Sequence, residues 1–291
     1  MWKKLGKIYS IQNDNKFMHS HASYPTIDVL DDKIRIYFSS RDNQNVSRIF
    51  YFDYKNKKVF SNNSIVVNSG IKGEYDCDGI APRCIVNNNS KKIMYTIGWN
   101  QCKSFPYSLS IGICENKNNI WQKIGQVLGR NRYDKIFCTS PHVIYENRKY
   151  KMWYCSCNEW SNNDPNYFIK YTESKNGYDW DISDTICISK KNKSYGWPYV
   201  IKKNNYYTMY YCSRHNNEFR KNPSKSYKIM CAYSQDGIKW DSKNQQILKP
   251  SIKSDDWDSE MVCYPAVHEN LMFYNGNGFG KTGIGIATNS S

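Results

Sequence analysis

Carboxylic acids in this sequence recur in pairs two residues apart, a spacing that places both side chains on one side of an extended strand. Asp76 and Asp78 form one such pair, Asp258 and Glu260 another, and Asp42 directly follows an arginine. Two carboxylates can break or make a glycosidic bond when one protonates the leaving oxygen and the other acts as base or nucleophile. We therefore predict Asp78, Glu260 and Asp42 as catalytic residues, with turn capping as the structural alternative for each.

Side chains suited to binding a sugar or a phosphate group occur near these acids. Arginine binds phosphate through paired hydrogen bonds, histidine and asparagine bind hydroxyls, and aromatic rings offer flat apolar faces. The predicted substrate-binding residues are His19, His21, Arg41, Asp76, Arg83, Trp99, His142, Glu159, Arg214, Asp258, Tyr264, Asn275 and Asn277. His19 and His21 have the spacing of a metal pair, but no third ligand stands at a known spacing, so we predict no metal and no cofactor.

A proline followed by two strand-like segments recurs five times and supplies the elements that position these residues. The prolines are Pro25, Pro82, Pro141, Pro198 and Pro265. Their regular spacing predicts an all-β chain that folds as a five-bladed β-propeller, with four-stranded antiparallel blades around a central cavity. The approximate blades are 17–70, 71–130, 131–190, 191–250 and 251–291 of a single domain, 1–291, with N-terminal residues available to close the ring.

Blade geometry predicts where the site lies. The first two strands of a blade run antiparallel, so the beginning of the first strand and the end of the second share one rim. The candidate residues fall at those two places, whereas the opposite rim receives mostly Asn- and Lys-rich turns such as 55–58 and 190–193. We therefore predict a single functional rim.

The charge and the cysteine content of the chain indicate which partners and which cellular compartment to expect. The net charge is +15, but the basic residues are scattered through turns and form no stripe beside a recognition motif, so we predict no nucleic-acid partner. The 11 cysteines lie mostly in strand-like runs, which favours buried free thiols in a reducing cytoplasm. No signal peptide and no apolar run of membrane-spanning length is evident, and we infer no obligate protein partner.

Several segments resemble a known group of enzymes. These are the turns at 174–180 and 234–240 and the runs 19–25, 37–42, 97–100 and 257–265. The layout resembles the five-bladed propellers of glycoside hydrolase families 43, 32 and 130, and a branch of that group often found among bacterial surface-polysaccharide genes. The resemblance implies a carbohydrate-active enzyme that acts on a glycosidic bond in surface-glycan metabolism, with a sugar, glycan or nucleotide sugar as ligand.

The sequence departs from the family 43 pattern of an Asp, an Asp and a Glu in the first three blades. The first unit offers His19 and His21, and the third offers His142, with only Glu159 nearby. Two alternatives therefore stay open. One is a glycosyltransferase or phosphorylase that uses a nucleotide sugar or sugar phosphate, and the other is a glycan-binding propeller without catalysis.

Overall fold

The computed structural model describes residues 2–12, 15–88, 90–161 and 164–289. Within these ranges most residues are in β-strands, and neither of the two short helical segments is long and apolar enough to cross a membrane. In chain order the elements are β1 (Lys3–Tyr9), β2 (Ser20–Leu30), β3 (Lys33–Arg41), β4 (Ser47–Lys55), β5 (Lys58–Val67), β6 (Gly79–Asn87), β7 (Lys92–Gln101), β8 (Tyr107–Lys117), β9 (Ile120–Leu128), β10 (Phe137–Glu146), β11 (Lys149–Ser161), β12 (Asp164–Ser174), β13 (Ile186–Ile188), β14 (Lys193–Lys203), β15 (Tyr206–His215), a 3-10 turn (Pro223–Lys225), β16 (Lys228–Ser234), β17 (Asp241–Leu248), β18 (Cys263–His268), β19 (Leu271–Asn275), α1 (Asn277–Gly280) and β20 (Ile284–Thr288).

The strands pair as four-stranded antiparallel units. Strands β10 to β13 form one sheet in chain order, and β14 to β17 form another. Strands β2 to β5 and β6 to β9 are two further units, which one parallel pair, Ser47 with Gly79, joins into a continuous sheet. The last sheet has the order β18, β19, β20, β1. The prediction of an all-β chain built from four-stranded antiparallel sheets is confirmed.

Apolar side chains from neighbouring sheets fill the space between them. Ile36 and Phe38 on β3 pack, fully buried, against Phe273 and Ile286 of the last sheet, and Tyr37 between them is buried in a cluster on the other face of β3. Comparable clusters join the other neighbouring sheets. Because each sheet is covered on both faces, its strands carry the long apolar and aromatic runs that the sequence shows.

The first strands of the sheets contact one another in a cycle. Strand β2 contacts β6, β6 contacts β10, β10 contacts β14, β14 contacts β18, and β18 returns to β2. The first strand of each four-stranded unit therefore lies innermost. The start of this strand and the end of the second strand can then share one rim, as the sequence predicts.

The repeated prolines mark a β-bulge on these inner strands. The pairing register shifts around Pro25, Pro82, Pro141, Pro198 and Pro265. The residue before the proline has a positive φ in all but the second of these strands, with values from 53° to 61°. A bulky residue at positive φ is strained by about 1–3 kcal/mol, which the surrounding bonds must offset. The bulge turns that side chain towards one end of the axis.

Two tight turns, each between the third and fourth strands of a sheet, form hydrogen bonds with the preceding sheet. Gly177 and Gly237 have φ values of 83° and 77°, the conformation that the sequence predicts for Asn-Gly and Asp-Gly. Their carbonyls accept hydrogen bonds from aromatic residues of the preceding sheet, Tyr95 Oη at 2.9 Å and Trp153 Nε1 at 2.6 Å. The turns thus stabilise contacts between sheets as well as their own chain reversals.

The strand at the beginning of the chain completes the last sheet. Lys3 to Tyr9 pairs antiparallel with β20, so β1 is the outermost strand of that sheet. Lys4 on β1 also forms an ion pair of 2.6 Å with the buried carboxylate of Asp258. Both terminal segments of the chain therefore contribute to one sheet.

Candidate functional site

A cavity of about 300 Å³ opens at one end of the inner strands. Its wall comes from the beginnings of inner strands and the ends of second strands, on the rim where the sequence places the candidate residues. The predicted site residues that line it are His21, Arg41, Trp99, Arg214 and Tyr264.

Aromatic rings form much of the cavity wall. Tyr24 stacks on Tyr264 with 4.4 Å between ring centroids, and Trp197 lies 5.0 Å from Tyr264. All three precede a repeat proline and have positive φ, so the bulge is what directs them into the cavity. Tyr227 and Phe279 extend the aromatic surface. Flat aromatic faces of this kind suit the apolar faces of sugar rings.

The strained backbone of these aromatic residues is held by side chains from the adjoining sheet. The amide of Trp197 donates to Sγ of Cys155 at 3.0 Å, and the amide of Tyr264 donates to Sγ of Cys212 at 3.3 Å. The amide of Tyr24 donates to Oδ1 of an asparagine, Asn275, at 2.9 Å. The inward-facing cysteines therefore act as hydrogen-bond acceptors that position the site.

Three arginines, Arg41, Arg214 and Arg220, make the cavity wall cationic. Arg214 is almost fully buried and donates to the Tyr227 hydroxyl at 2.9 Å and to the carbonyl of Pro165 at 2.6 Å, which are both neutral acceptors. Arg41 donates to Asn45 at 2.9 Å, also a neutral group. Arg220 forms an ion pair of 3.0 Å with an aspartate, Asp164. Arg214 also donates from Nη1 to the carbonyl of His215 at 2.9 Å, so all three of its guanidinium nitrogens are bonded and it contributes its charge to the cavity. Arg41 has donors that no described residue accepts from, so it can bond directly to a ligand.

The pKa of His21 in the cavity wall is shifted by this environment. Burial, and then the positive charges of Arg41 and Lys281, lower its pKa from 6.5 to about 4. The ring is therefore neutral at pH 7 and can either donate or accept a hydrogen bond.

The predicted acids do not line the cavity. Among the residues that the structure describes, no carboxylate belongs to its lining. The expectation that the acid pairs lie on extended strands is wrong, because 75–78 and 258–260 form turns just before β6 and β18. In each pair the turn directs one acid into the protein, where Asp76 and Asp258 are buried, and leaves Asp78 and Glu260 nearer the surface.

The three predicted catalytic acids differ in how many hydrogen bonds and ion pairs their carboxylate oxygens already form. Oδ1 of Asp42 accepts two backbone amides, and its Oδ2 pairs with Arg48 at 2.6 Å, so this acid caps a turn. Oδ2 of Asp78 accepts the amide of Gln101 at 2.7 Å, beside Trp99 of the cavity wall. Glu260 is exposed, and its carboxylate has no hydrogen bond or ion pair with the described residues.

The two buried acids have lysine partners. Asp76 accepts hydrogen bonds from Nζ of Lys123 at 3.1 and 3.2 Å. Asp258 pairs with Lys4 and accepts a hydrogen bond from the hydroxyl of Tyr274 at 3.0 Å. These bonds connect separate strands, so both acids stabilise the fold.

Two predicted ligand residues, Arg83 and His142, are buried outside the cavity lining. Arg83 is fully buried and donates from Nη2 to the carbonyl of Pro198 at 2.8 Å. His142 packs on Tyr199 with 4.3 Å between ring centroids, and burial together with the charge of Arg83 lowers its pKa to about 3. His142 is therefore neutral at pH 7.

Four further predicted residues lie at the edge of the site or support it. Nδ2 of Asn275 donates to two carbonyls and its Oδ1 accepts the amide of Tyr24, so this side chain is fully used in positioning. Oδ1 of Asn277 accepts the amide of Glu260 at 2.7 Å. His19 and Glu159 are exposed and outside the cavity lining. No group of three or more metal-type ligands occurs among the described residues.

Several cavity residues were missing from the sequence-based set. Tyr24 and Trp197 have the same position as Tyr264 in the repeat, directly before a proline, and that shared position was the available signal. Tyr107, Tyr227 and Arg220 approach the cavity from other strands and loops. Their position depends on packing between sheets, which the local sequence does not reveal.

Comparison of the sequence finds two similar proteins, both from Mycobacterium tuberculosis. No family model matches the chain. The uncharacterized protein Rv1502 of Mycobacterium tuberculosis (strain H37Rv) is 29% identical over 307 aligned positions, which cover 98% of both chains. Protein MT1551 of the CDC 1551 strain is similar to the same extent.

Solved structures with this fold are glycoside hydrolases of β-propeller type. The BT0996 complex with RGII has a TM-score of 0.78 at 16% identity and covers 99% of this chain and 92% of that one. A thermostable family-43 glycoside hydrolase has a TM-score of 0.68 at 14% identity, with 94% and 90% covered. A structure from the GH130 family of mannoside phosphorylases, which contains glycoside hydrolases, has a TM-score of 0.69 at 13% identity, with 98% and 89% covered. At these identities the similarity shows the fold.

Proposed function

We propose that this protein is a carbohydrate-active enzyme that binds a saccharide in the aromatic cavity and acts on a glycosidic bond. The observation that carries the proposal is the aromatic cluster at the end of the inner strands, in which Tyr24 stacks on Tyr264 and Trp197 packs beside them, next to arginine and histidine side chains that can form hydrogen bonds. Aromatic faces would hold the apolar faces of a sugar ring, and the polar groups would bind its hydroxyls.

We further propose that residues 1–291 form one five-bladed propeller. The closed cycle of contacts among β2, β6, β10, β14 and β18 supports this count, since each of these strands begins a four-stranded unit. The similar solved structures are glycoside hydrolases, and one is a complex with RGII, which supports a sugar ligand. A role in surface-glycan metabolism stays a prediction from the sequence resemblance.

Within this proposal, Asp78 and Glu260 carry the acid–base chemistry. Asp78 lies beside the Trp99 wall, and its Oδ1 accepts no hydrogen bond from the described residues. Glu260 is held by Asn277 at the start of α1, the segment that also brings Phe279 to the cavity. Asp42 is the weakest of the three predicted acids, because its turn and Arg48 already occupy both oxygens.

The test is turnover of a panel of p-nitrophenyl glycosides, with and without inorganic phosphate. Asp78→Asn and Glu260→Gln should each lower turnover by about 100-fold or more, the usual contribution of a general acid or base. Matched controls are Asp31→Asn and Glu269→Gln, exposed acids in turns at the opposite ends of β2 and β18. No turnover of any substrate, or equal turnover in all four variants, would contradict catalysis by these acids.

A glycan-binding propeller without catalysis is the second candidate. It is favoured by the absence of a carboxylate from the cavity lining among the described residues. Tryptophan fluorescence can measure saccharide binding in the same variants, since Trp99 and Trp197 line the cavity. Binding that persists with no turnover in the wild type would favour this candidate over the enzyme.

A further inference from the structure

The cavity has an unusual balance of charge for a sugar site. Arg41, Arg214 and Arg220 line it, and Lys281 is close enough to His21 to lower its pKa. Within the described parts of the chain, the cavity lining contains no acid. The wall is therefore strongly cationic.

The acids nearest to these arginines offset only part of the charge. Asp164 pairs with Arg220 at 3.0 Å. Asp42, although it follows Arg41 in the sequence, pairs instead with Arg48 at 2.6 Å. Neither Arg41 nor Arg214 forms an ion pair with any residue in the described ranges, and both donate only to neutral oxygens. Arg41 and Arg214 thus have no ion pair of their own in the described part of the chain, although the charge of Asp164 also acts on Arg214.

The basic composition of the chain does not explain this pattern. A second concave surface, at the opposite end of the inner strands, contains Asp28 and Asp31 beside Lys92 and His268. Asp28 and Lys92 form an ion pair there at 2.6 Å. Acids and bases therefore occur together at the opposite end of the inner strands, whereas the lining of the cavity contains arginines and no acid among the described residues. This difference indicates that the cavity is suited to a negatively charged ligand.

We infer that the saccharide bound in the cavity carries an anionic group, a carboxylate or a phosphate, which binds against the arginine-lined wall. This inference rests on the proposed function, because it names the class of sugar that the same cavity binds. Arginine presents parallel N–H donors that match both anions, and a partly buried wall strengthens the attraction because water screens it less. A neutral sugar would leave Arg41 with no anionic partner and, among the described residues, only the neutral oxygen of Asn45 as acceptor.

The two sources of negative charge differ in chemistry. A carboxylate would belong to a uronic acid or another acidic sugar, and a phosphate to a sugar phosphate or a nucleoside diphosphate sugar. Arg41 from β3 can contact either anion directly, whereas the buried Arg214 from β15, whose guanidinium nitrogens are all bonded, adds its positive charge to the wall. The shared requirement is the anion.

Matched neutral and anionic ligands test the inference with the full chain. We would titrate galactose against galacturonate, glucose against glucuronate, and glucose against glucose 1-phosphate and uridine diphosphate glucose, following tryptophan fluorescence. At least one anionic ligand should bind about 10-fold or more tightly than its neutral partner. The difference should shrink as salt rises from about 0.05 to 0.5 M. Which anion gains affinity identifies the source.

Arginine variants complete the test. Arg41→Gln and the exposed Arg220→Gln should each reduce the preference for the anionic ligand by about 5-fold or more and change neutral binding by less than about 2-fold. Arg148→Gln, in the exposed turn between β10 and β11, removes the same charge at the opposite end and should change neither.

The outcomes separate the two proposals. Equal affinity for neutral and anionic ligands, or an equal loss of both in Arg41→Gln, would overturn the anionic inference and leave a saccharide site in place. Failure to bind any saccharide of the panel would overturn the proposed function and the inference together. Preference for either anion, lost in Arg41→Gln and kept in Arg148→Gln, would support both.

Discussion

The carboxylate of Asp258 bonds to three separate segments of the chain. Replacing this residue by asparagine measures how much these contacts stabilise the sheet formed by β18, β19, β20 and β1. Its side chain is 1% exposed and lies 2.6 Å from Nζ of Lys4 on β1. It also accepts hydrogen bonds from Tyr274 on β19 at 3.0 Å and from Ser251 at 2.6 Å. Asp258→Asn removes the negative charge and keeps the shape of the side chain.

The expected loss follows from these contacts. Removing one partner of a buried ion pair costs about 3–5 kcal/mol when the other charge stays buried. Lys4 is 25% exposed and can turn towards water, and an amide oxygen still accepts from Tyr274, so we expect a loss at or somewhat below the lower end of that range. The free energy of unfolding should therefore fall by about 2–4 kcal/mol.

Urea unfolding at pH 7, followed by tryptophan fluorescence, measures this loss. Asp255→Asn is the matched control, because this exposed aspartate bonds only to the neighbouring Ser254 and should change stability by less than about 0.5 kcal/mol. Saccharide affinity should not change in either variant. Wild-type stability combined with weakened saccharide binding in Asp258→Asn would refute the structural role and restore the substrate-binding role that the sequence predicted.

Three other predictions concern stability, binding and pH. Lys123→Met leaves the buried carboxylate of Asp76 without its cation, so urea unfolding should show a loss of about 2–4 kcal/mol; unchanged stability would mean that the pair is not formed in solution. Trp99→Ala removes an aromatic wall of the cavity and should weaken saccharide binding about 5-fold or more in fluorescence or calorimetric titrations, with stability reduced much less. Because burial lowers the pKa of His21 to about 4 and of His142 to about 3, the unfolded chain binds protons near pH 6.5 before the folded one does. Stability should therefore decrease as pH falls from about 6.5 towards 4, and His21→Gln should make this decrease shallower; an unchanged slope would contradict the shifted pKa of that residue.

The parts of the fold that the sequence predicts depend on local chemistry. A proline lacks an amide donor and restricts the residue before it, so Pro25, Pro198 and Pro265 mark places where the inner strand must bulge. Antiparallel pairing then places the start of one strand beside the end of the next, and the cavity lies on that side. Neither conclusion requires knowledge of distant contacts.

The roles of individual acids could not be predicted in this way. Asp76 and Asp78 look equivalent in sequence, yet the turn that contains them directs the first towards Lys123 and leaves the second near the surface. The lysine that pairs with Asp258 lies about 250 residues away, at the beginning of the chain. Partners at such separations are determined by the arrangement of whole sheets, which spacing along the sequence does not encode.

The pairing of β1 with β20 has a consequence for the order of events during synthesis. About 280 residues separate the two strands, so the first strand emerges from the ribosome long before its partner exists. At about 5–20 residues per second, that wait is roughly 15–60 s. Until then β1 has no sheet to join, because its partner strand β20 is the last of the described strands to be synthesised. We therefore expect a partly assembled, open protein to be the species most exposed to chaperones, proteases and aggregation.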